Sequence, residues 1–159
     1  MIFVRLALIA ICFVAGLWST LASDQKKNTI KQIFWHQHLR VPAGQRVLGV
    51  IDNPADVAEL KVQRDSVLGL SGWTVATNRG SRVQRLAILV DGVEVAQVVD
   101  FFSRPDVSDA YNRPDFENSG WRAMVPLSGL QPGKHVLQAR AIASDGGSGD
   151  LPSIVLHVQ

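Results

Sequence analysis

Two Arg-Pro-Asp triplets, Arg104-Pro105-Asp106 and Arg113-Pro114-Asp115, stand in a segment that also carries Asp100, Asp109 and Glu117. Acids at this density suggest two chemistries. They could supply oxygen ligands to calcium, which takes about six to eight. A pair of them could act as acid and base on a glycosidic bond. The spacing favours neither. The alternating Asp/Asn pattern and central glycine of an EF-hand loop are missing, and a sequence fixes no distance between carboxylates. A third pattern fits better. Ser103 precedes Asp106 by three residues, the layout of a capping box, and Pro105 suits an early helical position. Val107, Ala110 and Tyr111 then give one apolar face at helical spacing. Asn112-Arg113-Pro114-Asp115 repeats the chemistry, but the run to Gly120 is too short for a helix and predicts a turn. Both triplets are expected to start turns, with Arg104 and Arg113 paired to neighbouring acids.

Other reactive residue types are sparse. Ser71 in "GLSGW" lacks the Gly-x-Ser-x-Gly elbow and the strand-to-helix turn that elbow needs. His135 follows Pro132-Gly133 at the start of a strand and is expected to be a mostly buried corner residue bonded to backbone. His36 and His38 in "WHQH" could begin a zinc site, but a further ligand is needed and no cysteine remains to supply it. "SDGGSGD" (residues 144–150) is followed by no helix that would complete an anion site, so a hairpin loop is expected. Trp73 and Trp121 would stack on sugar rings if exposed, but each stands among apolar neighbours and is expected in the core. No catalytic, cofactor-binding or metal-binding residue is assigned, and no cofactor is expected.

The elements that would position these residues are strands. "RVLGVID" is closed by Asn53-Pro54, and "VLGLSGWTVAT" alternates, with Trp73 as its largest inward candidate. "VQRLAILV" runs into Asp91-Gly92 and then "VEVAQVVDFF"; Asp-Gly between two β-rich runs is a strong hairpin signal. "WRAMVPL", "HVLQARAIA" and "LPSIVLHV" complete about seven strands separated by polar turns, the pattern of an immunoglobulin-like antiparallel sandwich. The fold class is all-β, preceded by an N-terminal hydrophobic helix.

The series "GVIDNP", "GLSGWTV", "RVQRLAILVDGVEVAQ", "SRPDVSDAY" and "ENSGWRAMVPLSGLQPGKHVLQARAIASDGG" resembles bacterial immunoglobulin-like domains of exported and envelope proteins. The resemblance covers residues 48–159. It implies a sandwich fold and an extracytoplasmic setting, and no single activity.

The chain divides into three parts. Residues 1–22 carry one charge, Arg5, in an otherwise apolar or small run. That run is either a removable secretory signal, with Thr20-Leu21-Ala22 as a cleavage site, or a retained membrane anchor. Residues 23–46 read as a juxtamembrane linker in which Ile30, Ile33 and Phe34 share one side of a helical wheel. Residues 47–159 form the sandwich. Lys26, Lys27 and Lys31 come after the apolar run, so the positive-inside rule would keep an uncleaved domain in the cytoplasm, against the export implied by the resemblance. A net charge of +2 and the absence of a basic stripe exclude a nucleic-acid footprint. The single cysteine, Cys12, leaves the sandwich without disulfides. The expected function is a non-catalytic exported module for protein interaction or spacing at the cell envelope, periplasmic, secreted or membrane-anchored. Its partner would be a protein or glycan, with membrane association through residues 1–22. A glycan- or calcium-binding module, or an accessory domain in envelope glycan processing, is the alternative.

Overall fold

The computed structural model describes residues 38–55 and 57–159, of which Leu39–Gln159 is a compact unit. The expected hydrophobic helix over residues 1–22 and the histidine at position 36 lie outside the described residues. Among the described residues no helix is long and apolar enough to cross a membrane.

The described residues form ten strands in two sheets. The first sheet has the order β1 (Val47–Asn53), β3 (Val67–Ala76), β7 (Asn118–Pro126), β6 (Phe102–Ser103). The second runs β2 (Glu59–Val62), β10 (Ile154–Val158), β8 (Gly133–Ala143), β4 (Val83–Val90), β5 (Val93–Val98), with β9 (Ser148–Asp150) paired to β8. All pairs are antiparallel except β2 with β10, which is parallel. The sandwich expectation holds, with three short strands that the alternation did not reveal: β2, β6 and β9. The "VEVAQVVDFF" run is not one strand. It ends at Val98 as β5 of the second sheet and resumes at Phe102 as β6 of the first.

Alternation makes the core. In β7, Trp121, Ala123 and Val125 point inward while Arg122 and Met124 face out. Leu86, Ile88, Leu137 and Leu156 meet them from the second sheet, all fully buried. Asp91-Gly92 turns β4 into β5 as expected: both residues have positive φ, 50° and 80°, as a two-residue type I′ hairpin demands.

A smaller cluster lies on the other face of the first sheet. Helix α1 (Pro105–Tyr111) and a 3-10 turn (Pro114–Phe116) lay Val107, Tyr111 and Phe116 over Val75, Trp73 and Leu48. Trp73 is therefore not an inward residue of the sandwich. It is half-buried on the outer face, edge-on to Tyr111 with ring centroids 5.9 Å apart, and Tyr111 meets Phe116 at 5.6 Å. The reason is parity: Leu70 and Ala76 of β3 take the inner face, and Trp73 is an odd number of residues from each.

Candidate functional site

The residues with reactive side chains gather at three places, each closed by its own contacts. The first is the double Arg-Pro-Asp connection. In α1 the N-cap is Arg104, non-helical at φ −132° and ψ 75°, with Pro105 next and Asp106 in the first turn. Arg104 Nε and Nη2 donate to Asp106 Oδ1 and Oδ2 at 2.8 and 2.7 Å, and Nη1 donates to Asp52 Oδ2 at 2.7 Å. Arg113 repeats the arrangement before the 3-10 turn, again at φ −132°, forking onto Asp115 at 2.7 and 2.5 Å. Its guanidinium also lies 4.3 Å from the Phe116 ring centroid. The arginine forks hold Asp106 and Asp115 below the ordinary carboxylate range, partial burial opposing them, and the acids raise the arginines in turn. Carboxylates held this low are ionised at neutral pH and are poor proton donors. Both triplets start turns, and both arginines pair with neighbouring acids, as expected.

The capping-box expectation is corrected. No side chain caps α1, and Ser103 Oγ donates to Glu117 Oε1 at 3.1 Å instead. Asn112 is not an N-cap either. It ends α1 in the left-handed region at φ 50°, where asparagine is tolerated. At both starts the cap position is an arginine that makes no side-chain capping bond and forks instead onto the acid two residues on. Among the described residues no group of three His, Cys, Asp or Glu is placed to hold a metal ion.

The second place is the corner at His135, whose side chain is 14% exposed. Its Nε2 lies 2.8 Å from Gln131 O, the expected backbone bond, and its Nδ1 lies 2.6 Å from Asp91 Oδ2. Asp91 Oδ1 accepts from Val136 N at 2.8 Å. The Asp91 bond, followed by the Gln131 carbonyl, raises the imidazole above its ordinary pKa; the Val136 amide and then His135 lower Asp91. Among the described residues no hydroxyl or thiol is hydrogen-bonded to this pair. Ser71 lies within β3, across from Arg122.

The third place joins the tryptophans. Ser71-Gly72-Trp73 and Ser119-Gly120-Trp121 pair so that Gly72 faces Trp121 and Trp73 faces Gly120. A Cβ on Gly72 would meet Val50 O at 2.1 Å and Trp121 Cζ2 at 2.9 Å. One on Gly120 would meet the Phe102 ring at 2.4 Å. Trp121 is in the main core as expected, its Nε1 and the nearby Ser119 Oγ buried without a hydrogen-bond partner among the described residues. Phe102 is 37% exposed, but the Arg122 guanidinium lies over its ring at 4.9 Å. Residues 144–150 close a tight hairpin whose far side is β9.

Sequence reasoning missed Asp52, the second acid of Arg104, and the bond from Asp91 to His135. Asp91 carried only a turn signal, and nothing in the spacing links it to a residue 44 positions on. A depression of about 300 Å³ lies beside Ile51, Pro54, Val57, Pro152 and Ile154, and none of its described lining residues is titratable.

No family model matches the sequence, and no curated protein does. Among solved structures, the chain is similar to fibronectin(III)-like modules of Clostridium thermocellum CbhA at 12% identity and a TM-score of 0.42, covering 70% of this chain and 96% of that one. It is also similar to a Jonesia denitrificans lytic polysaccharide monooxygenase at 14% identity and a TM-score of 0.37, covering 67% of this chain and 60% of that one. At these scores the description of the fold rests on the two sheets themselves.

Proposed function

We propose that this is a non-catalytic immunoglobulin-like module, exported and used for protein interaction or spacing at the cell envelope. One observation carries the proposal: among the described residues, the acids, arginines and histidine that the site candidates bring together are spent on one another. Arg104 engages Asp52 and Asp106, Arg113 engages Asp115, and His135 engages Asp91 and Gln131. Among the described residues the depression beside Pro54 and Pro152 brings no two titratable groups together. A carbohydrate platform draws little support, since Trp73 lies under α1, Trp121 is in the core, and one face of the partly exposed Phe102 ring is occupied by Arg122.

The spacer role draws on the strand directions. The sandwich is entered at β1, whose first residue pairs with the end of β3, and is left at β10, whose last described pair is with the start of β8. β8 and β4 run in opposite directions, which puts entry and exit at opposite ends of the sandwich. A module built this way holds the start of β1 and the end of β10 apart by its own length. Expression of the intact chain in a bacterium tests the setting. Protease added to spheroplasts is expected to digest the domain, and a mass loss equal to residues 1–22 would mark a cleaved signal. A domain that stays protected until the cells are lysed overturns export.

A further inference from the structure

The end of the sandwich at which the chain enters is built from three segments, residues 45–46, 77–82 and 144–147. Thr77 N donates to Arg46 O at 3.0 Å, and Thr77 Oγ to Gln45 O at 2.5 Å. Ser144 N donates to Arg82 O at 2.8 Å, and Arg82 N to Ser144 Oγ at 3.2 Å. These bonds bring the segments that carry Arg46, Arg79 and Arg82 together at this end of the sandwich, and all three residues are exposed. The acids beside them are already engaged. Asp115 carries the Arg113 fork, and Asp145 accepts from Asn78 Nδ2 at 2.5 Å and Gly147 N at 2.9 Å. Arg79 and Arg46 act on these acids only at longer range. Among the described residues none of the three arginines has a carboxylate within 4.0 Å.

Exposed guanidinium groups without a carboxylate partner keep their forked donors for an outside anion, and phosphate suits that geometry. The far end also carries three exposed cations without a carboxylate within 4.0 Å among the described residues, Lys61, Arg64 and Lys134, but only one of them is a guanidinium, and they stand alongside Asp65 and the Asp91–His135 pair. The basic surface is also the end that comes after Lys26, Lys27, Lys31 and the apolar residues 2–22 in sequence. We propose that the Arg46–Arg79–Arg82 surface docks on an anionic phospholipid membrane. It binds headgroup phosphates through the sandwich's own loops, so it adds to any association made by residues 1–22. Each arginine raises partitioning to such a surface about fivefold, so three together give roughly a hundredfold. That is enough to orient a domain already held near a membrane by its chain, and too little to hold a free one. The proposal goes beyond the proposed function and does not depend on which protein the module meets.

The full chain, with Cys12→Ser and a fluorophore on either Gln45→Cys or Gln63→Cys, reads the docking directly. The first label marks the basic end and the second the far end. Energy transfer is measured to acceptor-labelled headgroups in vesicles of phosphatidylcholine, alone or mixed with phosphatidylglycerol. Docking predicts that phosphatidylglycerol raises transfer from position 45 and not from 63. High salt, or Arg46→Gln with Arg79→Gln and Arg82→Gln, should remove the rise, because screening and charge loss both act on the same attraction. Transfer from position 45 that is the same in both vesicles overturns the proposal. So does a rise that survives the triple substitution in a variant whose melting is unchanged. A melting temperature that inorganic phosphate raises at constant ionic strength in the wild type but not in the triple variant, with transfer the same in both vesicles, would assign the surface to free phosphate and overturn it too. None of these outcomes bears on export, which the spheroplast experiment reads separately.

Discussion

His135 has an acceptor at each ring nitrogen, a carboxylate at Nδ1 and a carbonyl at Nε2. Both bonds form together only when both nitrogens carry protons, so the corner wants the imidazolium. Its raised pKa has the same cause. The folded value lies above the ordinary 6.5, so the stabilisation is complete below that pH and is lost as pH rises through the folded value. Asp91 is shifted below 3.8, so its share is present above that pH and is lost as pH falls through its own folded value. The pair contributes most between these two limits. His135→Ala is expected to cost about 1–3 kcal/mol there, through the bond lost and the Asp91 carboxylate left short of a partner. Chemical denaturation of wild type and variant across pH checks this, and the gap should narrow on the alkaline side. A gap that is flat with pH would mean the ring packs without its proton. The histidine corner was legible in the sequence because proline and glycine precede it. Its acid was not, because a hairpin in another part of the chain delivers it.

At the scale of elements, the informative device is the pairing of the two Ser-Gly-Trp tripeptides. Each glycine leaves room for an aromatic ring, but on opposite faces: Gly72 for Trp121 inside, Gly120 for Phe102 outside. The two sites should respond differently to a methyl group. At Gly72 the obstacle is backbone, Val50 O, which cannot move without shifting β1. Gly72→Ala is expected to cost about 3 kcal/mol, the upper range for overpacking. At Gly120 the obstacle is the side chain of a partly exposed Phe102, which can swing away, and the cost should be about 1 kcal/mol. Urea titration of both variants separates them, and equal losses would contradict the account. The long strands and the Asp91-Gly92 hairpin could be read from alternation and turn chemistry. The outward turn of Trp73 could not, since a strand covered on both faces loses its alternation. The strands β2, β6 and β9 were hidden because two to four residues are too few to show a period.

For the whole molecule, the acids of the α1 region hold a connection in place across the outer face of the first sheet. Arg104 ties it to Asp52 of β1, and Val107 and Phe116 seat it on Val75. The capping chemistry expected from Ser103 and Asn112 gave way to arginine forks, so the cost of losing an acid is that of a surface ion pair. Asp106→Ala and Asp115→Ala should each lower stability by no more than about 1 kcal/mol, Asp115 the more, since Arg113 is 15% exposed and Arg104 23%. A ligand that binds only the folded state would instead raise stability with its concentration. The most direct test is therefore a set of melting curves for wild type, Asp106→Ala and Asp115→Ala, in chelator and in millimolar calcium. The account predicts no calcium shift in the wild type and the same small losses in both buffers. A calcium-dependent rise in wild-type melting temperature that both substitutions abolish would contradict it, and would make this connection a binding site.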